Sequence, residues 1–360
     1  MPPALAERPT RELILRLPKT DLHCHLDGSL RPATIVDLAR QQGVEIPSMD
    51  PAELVRLVVP AEDCRSLEDY LRVFDVTLSV MQTEEALERV AYELMEDCAE
   101  ENVWYCEVRY SPILHIRQGL SLTQIVDAVL RGLRAGREDF GTESGLIICG
   151  MRNINPETSL TLAELTAAYK GRGVVAFDLA GAEDNFPAKH HAEAFRLILA
   201  NNLNCTIHAG EGYGPESIHQ ALHYCGAHRI GHGTRLKENG DLLNYVNDHR
   251  IPLEICPTSN VQTRVVASIA AHPLRFYFDY GLRITINTDN RLVSNTSVTE
   301  ELWRIVQQQN FTIGEIRTVL LNGFKSSFLG FRERRDMVNR ALVEMNNTIS
   351  EAMPNATDVL

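Results

Sequence analysis

The sequence predicts an α/β protein of the (β/α)8 TIM-barrel type, with a helical insertion after strand one and helices at the carboxyl end. Three observations lead there. Eight short runs rich in apolar and β-branched residues recur along the 360 residues, separated by stretches of helical periodicity. Four residues of metal-ligand type, His23, His25, His208 and Asp289, stand at the ends of such runs and come from both ends of the chain. A closed barrel sets strand one beside strand eight and brings all four to one mouth, whereas an open doubly wound sheet would leave them apart. No Gly-x-Gly-x-x-Gly loop follows the first run to favour the open sheet.

Taken in order, the expected strands cover residues 19–25, 103–109, 145–151, 174–179, 204–208, 229–232, 252–256 and 283–288. Several are almost continuously apolar, such as Leu146-Ile147-Ile148-Cys149 and Val174-Val175-Ala176-Phe177, as suits parallel strands covered on both faces. Amphipathic stretches at 122–135, 188–201 and 216–225 supply connecting helices. Residues 26–102 separate the first two strands, far more than one crossover helix needs. Within them helices are expected at 31–42, 62–77 and 84–101, the last begun by Gln82-Thr83-Glu84-Glu85. This insertion, bounded at 30–101, would hang over the pocket. It is either a lid or wall that excludes water, or a helical pack serving stability alone. After strand eight helices continue to about 346, and the polar stretch 347–360 is expected to be a disordered tail. The whole chain, 1–360, is read as a single metal-dependent hydrolase domain without internal repeats.

Composition narrows the partners. Hydrophobic content of 44% and charged content of 23% are those of a globular protein. A formal charge of −13 argues against nucleic acid and anionic membranes, both of which need a basic face. The amino terminus has no apolar signal core, and no run is long enough to span a bilayer. Eight scattered cysteines without a Cys-x-x-Cys pair are simplest as reduced thiols, so a cytoplasmic location is expected. The sequon Asn346-Asn347-Thr348 then carries no glycan.

The chemistry starts from His23 and His25. Alternate residues of a strand share a face, so a His-x-His pair at a strand end can give two imidazoles to one ion. With His208 and Asp289 the set is three imidazoles and a carboxylate, which suits Zn²⁺ and leaves room for an activated water. In His208-Ala209-Gly210-Glu211 the Ala-Gly pair allows a tight turn that returns Glu211 to the pocket, poised for proton transfer. The competing reading is a glutamate stabilising a helix N-terminus. His232, between Gly231 and Gly233, would reach the metal-associated water, and Asp289 would also accept a proton from it. Glu254, a charge inside a strand, either orients a metal-binding histidine or belongs to a structural ion pair. Glu107 and Arg109 are read as a structural ion pair near the pocket rim. His219 and His223 lack the intervening Glu of a His-Glu-x-x-His site and are assigned to a solvated helix face. His115, His190 and His191 have no partner motif.

Seven segments together resemble the adenosine deaminase family of the amidohydrolase superfamily. They are Asp21-Leu-His-Cys-His-Leu-Asp-Gly-Ser-Leu30, Cys106-Glu-Val-Arg-Tyr-Ser-Pro112, Asp178-Leu-Ala-Gly-Ala-Glu183, His208-Ala-Gly-Glu211, Arg229-Ile-Gly-His-Gly233, Glu254-Ile-Cys-Pro-Thr-Ser-Asn260 and Asn287-Thr-Asp289. The resemblance implies one zinc ion on His23, His25, His208 and Asp289, with hydrolytic conversion of adenosine and 2′-deoxyadenosine to inosine and ammonia. It implies Glu211 as proton donor to purine N1, His232 as the residue that positions the hydroxide, and His25, Asp27, Gly181 and Asn290 among the substrate contacts. Gly181 would touch the purine and Asp27 the sugar 5′-hydroxyl. Related adenine deaminases tend to carry Glu in place of Asp27. Asn290 departs from the family, which has Asp there facing purine N7; an amide donates at any pH, whereas a carboxyl must first be protonated. The alternatives are a 5′-modified adenosine, such as aminodeoxyfutalosine, or adenine as substrate. The sequence indicates no oligomeric state.

Overall fold

The computed structural model describes residues 7–59 and 73–353. Eight strands run in the order β1 (Lys19–His25), β2 (Val103–Tyr110), β3 (Glu143–Met151), β4 (Val174–Ala180), β5 (Asn204–Ala209), β6 (Arg229–His232), β7 (Leu253–Ile255) and β8 (Ile284–Ile286). Each pairs in parallel with the next in sequence. The ring closes through one bridge between Cys24 and Asp289. There His25 N–H donates to the Asp289 carbonyl at 2.7 Å, and Asp289 N–H to the His23 carbonyl at 2.8 Å. The expected barrel is the observed one.

β7 and β8 have three residues each, shorter than expected. Asp289 has a φ of 61°. Ile207, Ile230, Leu253 and Ile284, one from each of the last four strands, are wholly buried, each worth about 1.5–3 kcal/mol.

The insertion contains helices Pro32–Gln42, Pro51–Val58, Phe74–Val80 and Glu84–Glu100. Thr83 caps the last by accepting from Ala86 N–H, as its sequence context predicts. Of the helix expected at 62–77, residues 62–72 lie outside the described residues. Pro51–Val58 was not expected, although Asp50 accepting from Ala52 N–H and Pro51 at the first turn are helix-start signals. Helix Leu122–Phe140 begins with a reciprocal Ser121–Gln124 capping box and packs outside the barrel. The last helix, Phe331–Ala352, runs past residue 346 because its buried stripe Met337, Ala341, Met345, Ile349 keeps a four-residue spacing. Residues 354–360 lie outside the described residues. No helix among the described residues is long and apolar enough to cross a membrane.

Candidate active site

At the carboxyl end of the barrel, backbone geometry aims the polar side chains inward. β1 ends on His23-Cys24-His25 and places both imidazoles at the mouth. His232 and Asp289 close their strand ends with φ of 62° and 61°, a left-handed conformation costing non-glycine residues about 1–3 kcal/mol each. The packing that overrides this cost turns both side chains toward β1. Gly231 clears space for His23 and His208: a Cβ there would lie 3.1 Å from His23 Cε1 and from His208 Cα.

His23, His25, His208 and Asp289 offer ligand atoms that all lie within 4.8 Å of one another. His208 Nε2 is 3.1 Å from both His23 Nε2 and His25 Nε2. Asp289 Oδ1 is 3.4 Å from the same atoms of His23 and His25. A tetrahedral ion with zinc–nitrogen bonds of about 2.0–2.1 Å holds its ligand atoms about 3.3–3.4 Å apart, so the cluster has the size of such a shell. Tautomers point the same way. His23 Nδ1 donates to Glu254 at 2.9 Å and His208 Nδ1 to Asp178 at 3.0 Å, leaving both Nε2 lone pairs facing each other. Facing lone pairs repel unless a cation lies between them, and carboxylates behind histidines are a common support of metal sites.

Behind the histidines lies a fully buried charge network. Glu254 binds His23 and Arg109 on one oxygen, each at 2.9 Å, and Arg229 at 2.6 Å and Thr206 at 2.8 Å on the other. Burial alone would raise Glu254, but Arg109, Arg229 and His23 hold it well below the usual carboxylate range. It therefore both supports a histidine and joins an ion pair. The expected Glu107–Arg109 pair at the rim is not formed. Alternate strand residues both point into the barrel and meet different layers: Glu107 pairs with Arg229, and Arg109 with Asp178 at 3.0 Å and with Glu254.

In front of the cluster is a cavity of about 290 Å³. His25, Asp27, Gly181, His208, Glu211, His232, Asp289 and Asn290 line it, and Phe74, Asp75 and Leu78 of the insertion form part of its wall. His23 lies just beneath, with no exposure. Glu211 returns to the pocket after the Ala-Gly turn, its Oε2 3.5 Å from His232 Nε2. Burial, with the charges of Asp289 and Glu183 nearby, raises Glu211 well above the usual carboxylate range, the direction a proton donor needs. Burial pushes Asp27 up to about 7.

Sequence reasoning gave Asn260 no role. Thr234 Oγ1 and His272 Nε2 donate to its Oδ1 at 2.9 and 3.1 Å, so its Nδ2 must donate to His232 Nδ1, 3.1 Å away. His232 then carries its proton on Nε2, directed into the cavity. Asp178 lies in one of the family-like segments, and a charge inside an apolar strand is the signal for its role, as for Glu254. His115 and His191 are buried and bonded to the Met81 carbonyl and Ser159, each at 2.8 Å, while His219 and His223 are exposed.

Comparison with known proteins agrees with the fold and the motifs. The family model described as adenosine deaminase matches residues 18–343. The chain is 42% identical to the adenosine deaminase of Mycobacterium marinum, over 94% of this chain and 98% of that one. It is 41% identical to a probable adenosine deaminase of Dictyostelium discoideum over 92% of this chain, spanning 44% of the length of that longer relative. Among solved structures, adenine deaminase from Arthrobacter aurescens superposes with a TM-score of 0.85 at 27% identity, covering 91% of this chain and 98% of that one. With a single family model covering nearly its whole length, this chain belongs to the adenosine deaminase family.

Proposed function

We propose that this chain hydrolytically deaminates adenosine and 2′-deoxyadenosine, giving the 6-oxopurine nucleoside and ammonia. The observation behind it is one cavity, in a chain of this family, that gathers a three-histidine, one-carboxylate cluster beside the buried carboxyl of Glu211 and the inward Nε2–H of His232. A zinc ion held by His23, His25, His208 and Asp289 would supply a water of lowered pKa and electrostatic stabilisation of the oxygen adding to C6.

The protein groups do the rest. Asp289 accepts a proton from the attacking water, and His232 Nε2–H donates to its oxygen and holds it against the C6 face. Glu211 donates to purine N1, so the ring electrons displaced by the new C6–O bond end on a neutral N–H. On collapse Asp289 returns its proton to N6, and the C6–N6 bond breaks to release ammonia. The C6 hydroxyl gives its proton to the Glu211 carboxylate as the C6=O bond forms. Gly181 would meet the purine, Asn290 would donate to N7, and Asp27 would bind the 5′-hydroxyl. The insertion, which walls the cavity with Phe74 and Leu78, would act as a lid that keeps bulk water from the reacting ring. The cysteines among the described residues are free and buried, which accords with a reducing cytoplasm.

Glu211→Gln tests the assignment. It keeps the shape and the metal ligands but cannot supply the proton, so zinc should stay bound while turnover falls by about 10²–10⁴-fold. A variant that deaminates adenosine at the wild-type rate removes Glu211 from the mechanism.

A further inference from the structure

The turn that delivers Glu211 is held by groups outside the metal cluster. Gly210 follows β5 with φ 72°. A Cβ there would meet Ile218 Cδ1 at 2.5 Å, so the turn has no room for a side chain at this position. Its backbone N–H groups converge on one carboxylate. Glu183 Oε1 accepts from Gly210 N–H at 2.6 Å, and Oε2 from Glu211 and Tyr213 N–H at 2.9 and 3.0 Å. Glu183 stands on the loop after β4 and is 4% exposed. Buried Arg152 holds the other end of the turn, donating to the His208 carbonyl and, at 3.0 Å, to the Phe186 carbonyl beyond Glu183.

We infer that Glu183 is a positioning residue for the proton donor, fixing where the Glu211 side chain meets the purine ring; this rests on the role of Glu211 proposed above. Two oxygens of one planar carboxylate set the relative positions of three N–H groups, one of them Glu211's own. Such a row of backbone N–H groups is an anion-binding nest, here filled from within the chain. Bonds to a charged acceptor are shorter and about twice as strong as neutral ones, so a full charge makes this turn stiffer than water or a hydroxyl would. With Arg152 on His208, the interval between the metal cluster and the proton donor is fixed at both ends. The Glu183 charge also adds to what raises Glu211.

Glu183→Gln preserves size and one acceptor oxygen but turns an NH₂ group toward at least one N–H of the turn. With adenosine it should lower kcat about 10–100-fold, the loss expected for a catalytic group displaced by a fraction of an ångström to one ångström, and leave KM nearly unchanged. Asp184→Asn removes an exposed charge next door and should change neither constant. In a Glu211→Gln background, Glu183→Gln should cost little further turnover, because the group it positions is gone. Wild-type kcat in folded Glu183→Gln, or an equal loss in both backgrounds, overturns the inference. Where the Gln variant does not fold, Glu183→Asp, which keeps the charge but withdraws from the nest, reads the same kcat-against-KM split. Full activity in Glu211→Gln would instead refute the reading on which the inference depends.

Discussion

Replacing Glu254 by Gln perturbs stability and metal binding together, and both magnitudes follow from its contacts. The carboxylate is wholly buried with two donors on each oxygen: His23 and Arg109 at 2.9 Å each, Arg229 at 2.6 Å and Thr206 at 2.8 Å. The amide oxygen of Gln keeps one pair, and the amide nitrogen turns its hydrogens on the other. Two lost bonds, at about 1.5–3 kcal/mol where a charged group is involved, sum to about 3–6 kcal/mol. Arg109 retains Asp178 and Arg229 retains Glu107, so no guanidinium is stranded, which places the loss near the lower end of that range. His23 Nδ1 is left with at best a neutral amide oxygen in place of the carboxylate that supports it, which weakens metal affinity by about 10–100-fold. Urea unfolding of the metal-free protein measures the first effect, and zinc competition against a chelating dye the second. A variant whose midpoint and zinc affinity both match wild type would refute the account of this network.

Two further outcomes are expected. Burial pulls His272 down to about 3, and both its nitrogens are used, Nδ1 accepting from Leu274 N–H at 3.0 Å and Nε2 donating to Asn260. A histidine ordinarily titrates near 6.5, so as pH falls from there the unfolded chain takes up a proton that the folded one refuses. Its stability contribution is therefore lost toward acid, by about 2 kcal/mol between pH 6.5 and 5. Chemical denaturation across that range should show a flatter acid limb for His272→Gln, and an identical limb would remove His272 as a cause. Gly231→Ala places a methyl 3.1 Å from both His23 Cε1 and the His208 Cα of the neighbouring strand, and should lower zinc affinity, measured by dye competition, together with the unfolding midpoint. Unchanged affinity would mean that His23 yields freely.

The barrel was legible in the sequence because parallel strands buried on both faces leave continuous apolar runs that no surface element imitates. The strand ends were less so. Nothing in the pattern around Asp289 tells of its positive φ at the point where the ring closes on β1. The metal-type residues were readable because each stands at a strand end where the barrel sends its side chains. Their supports were not, since Asp178, Asn260 and Arg152 act on residues far away in sequence, and only closure of the ring decides the pairing. The same limit misassigned Glu107 and Arg109 to each other: their two-residue spacing shows a shared face but not the layer each one meets. Glu183 lay within a quoted motif, and its role appears only once the β4 and β5 loops are seen side by side.

The most direct test is ammonia release by the zinc-loaded protein with adenosine, 2′-deoxyadenosine, AMP, adenine and a 5′-modified adenosine measured side by side. Fast turnover of adenosine and its 2′-deoxy form, with little release from AMP or adenine, is the predicted result and makes Asn290 an adequate partner for N7. Release from adenine or the 5′-modified compound alone would contradict the assignment of adenosine as the substrate, and no release from any of the five would contradict the proposed chemistry of the site.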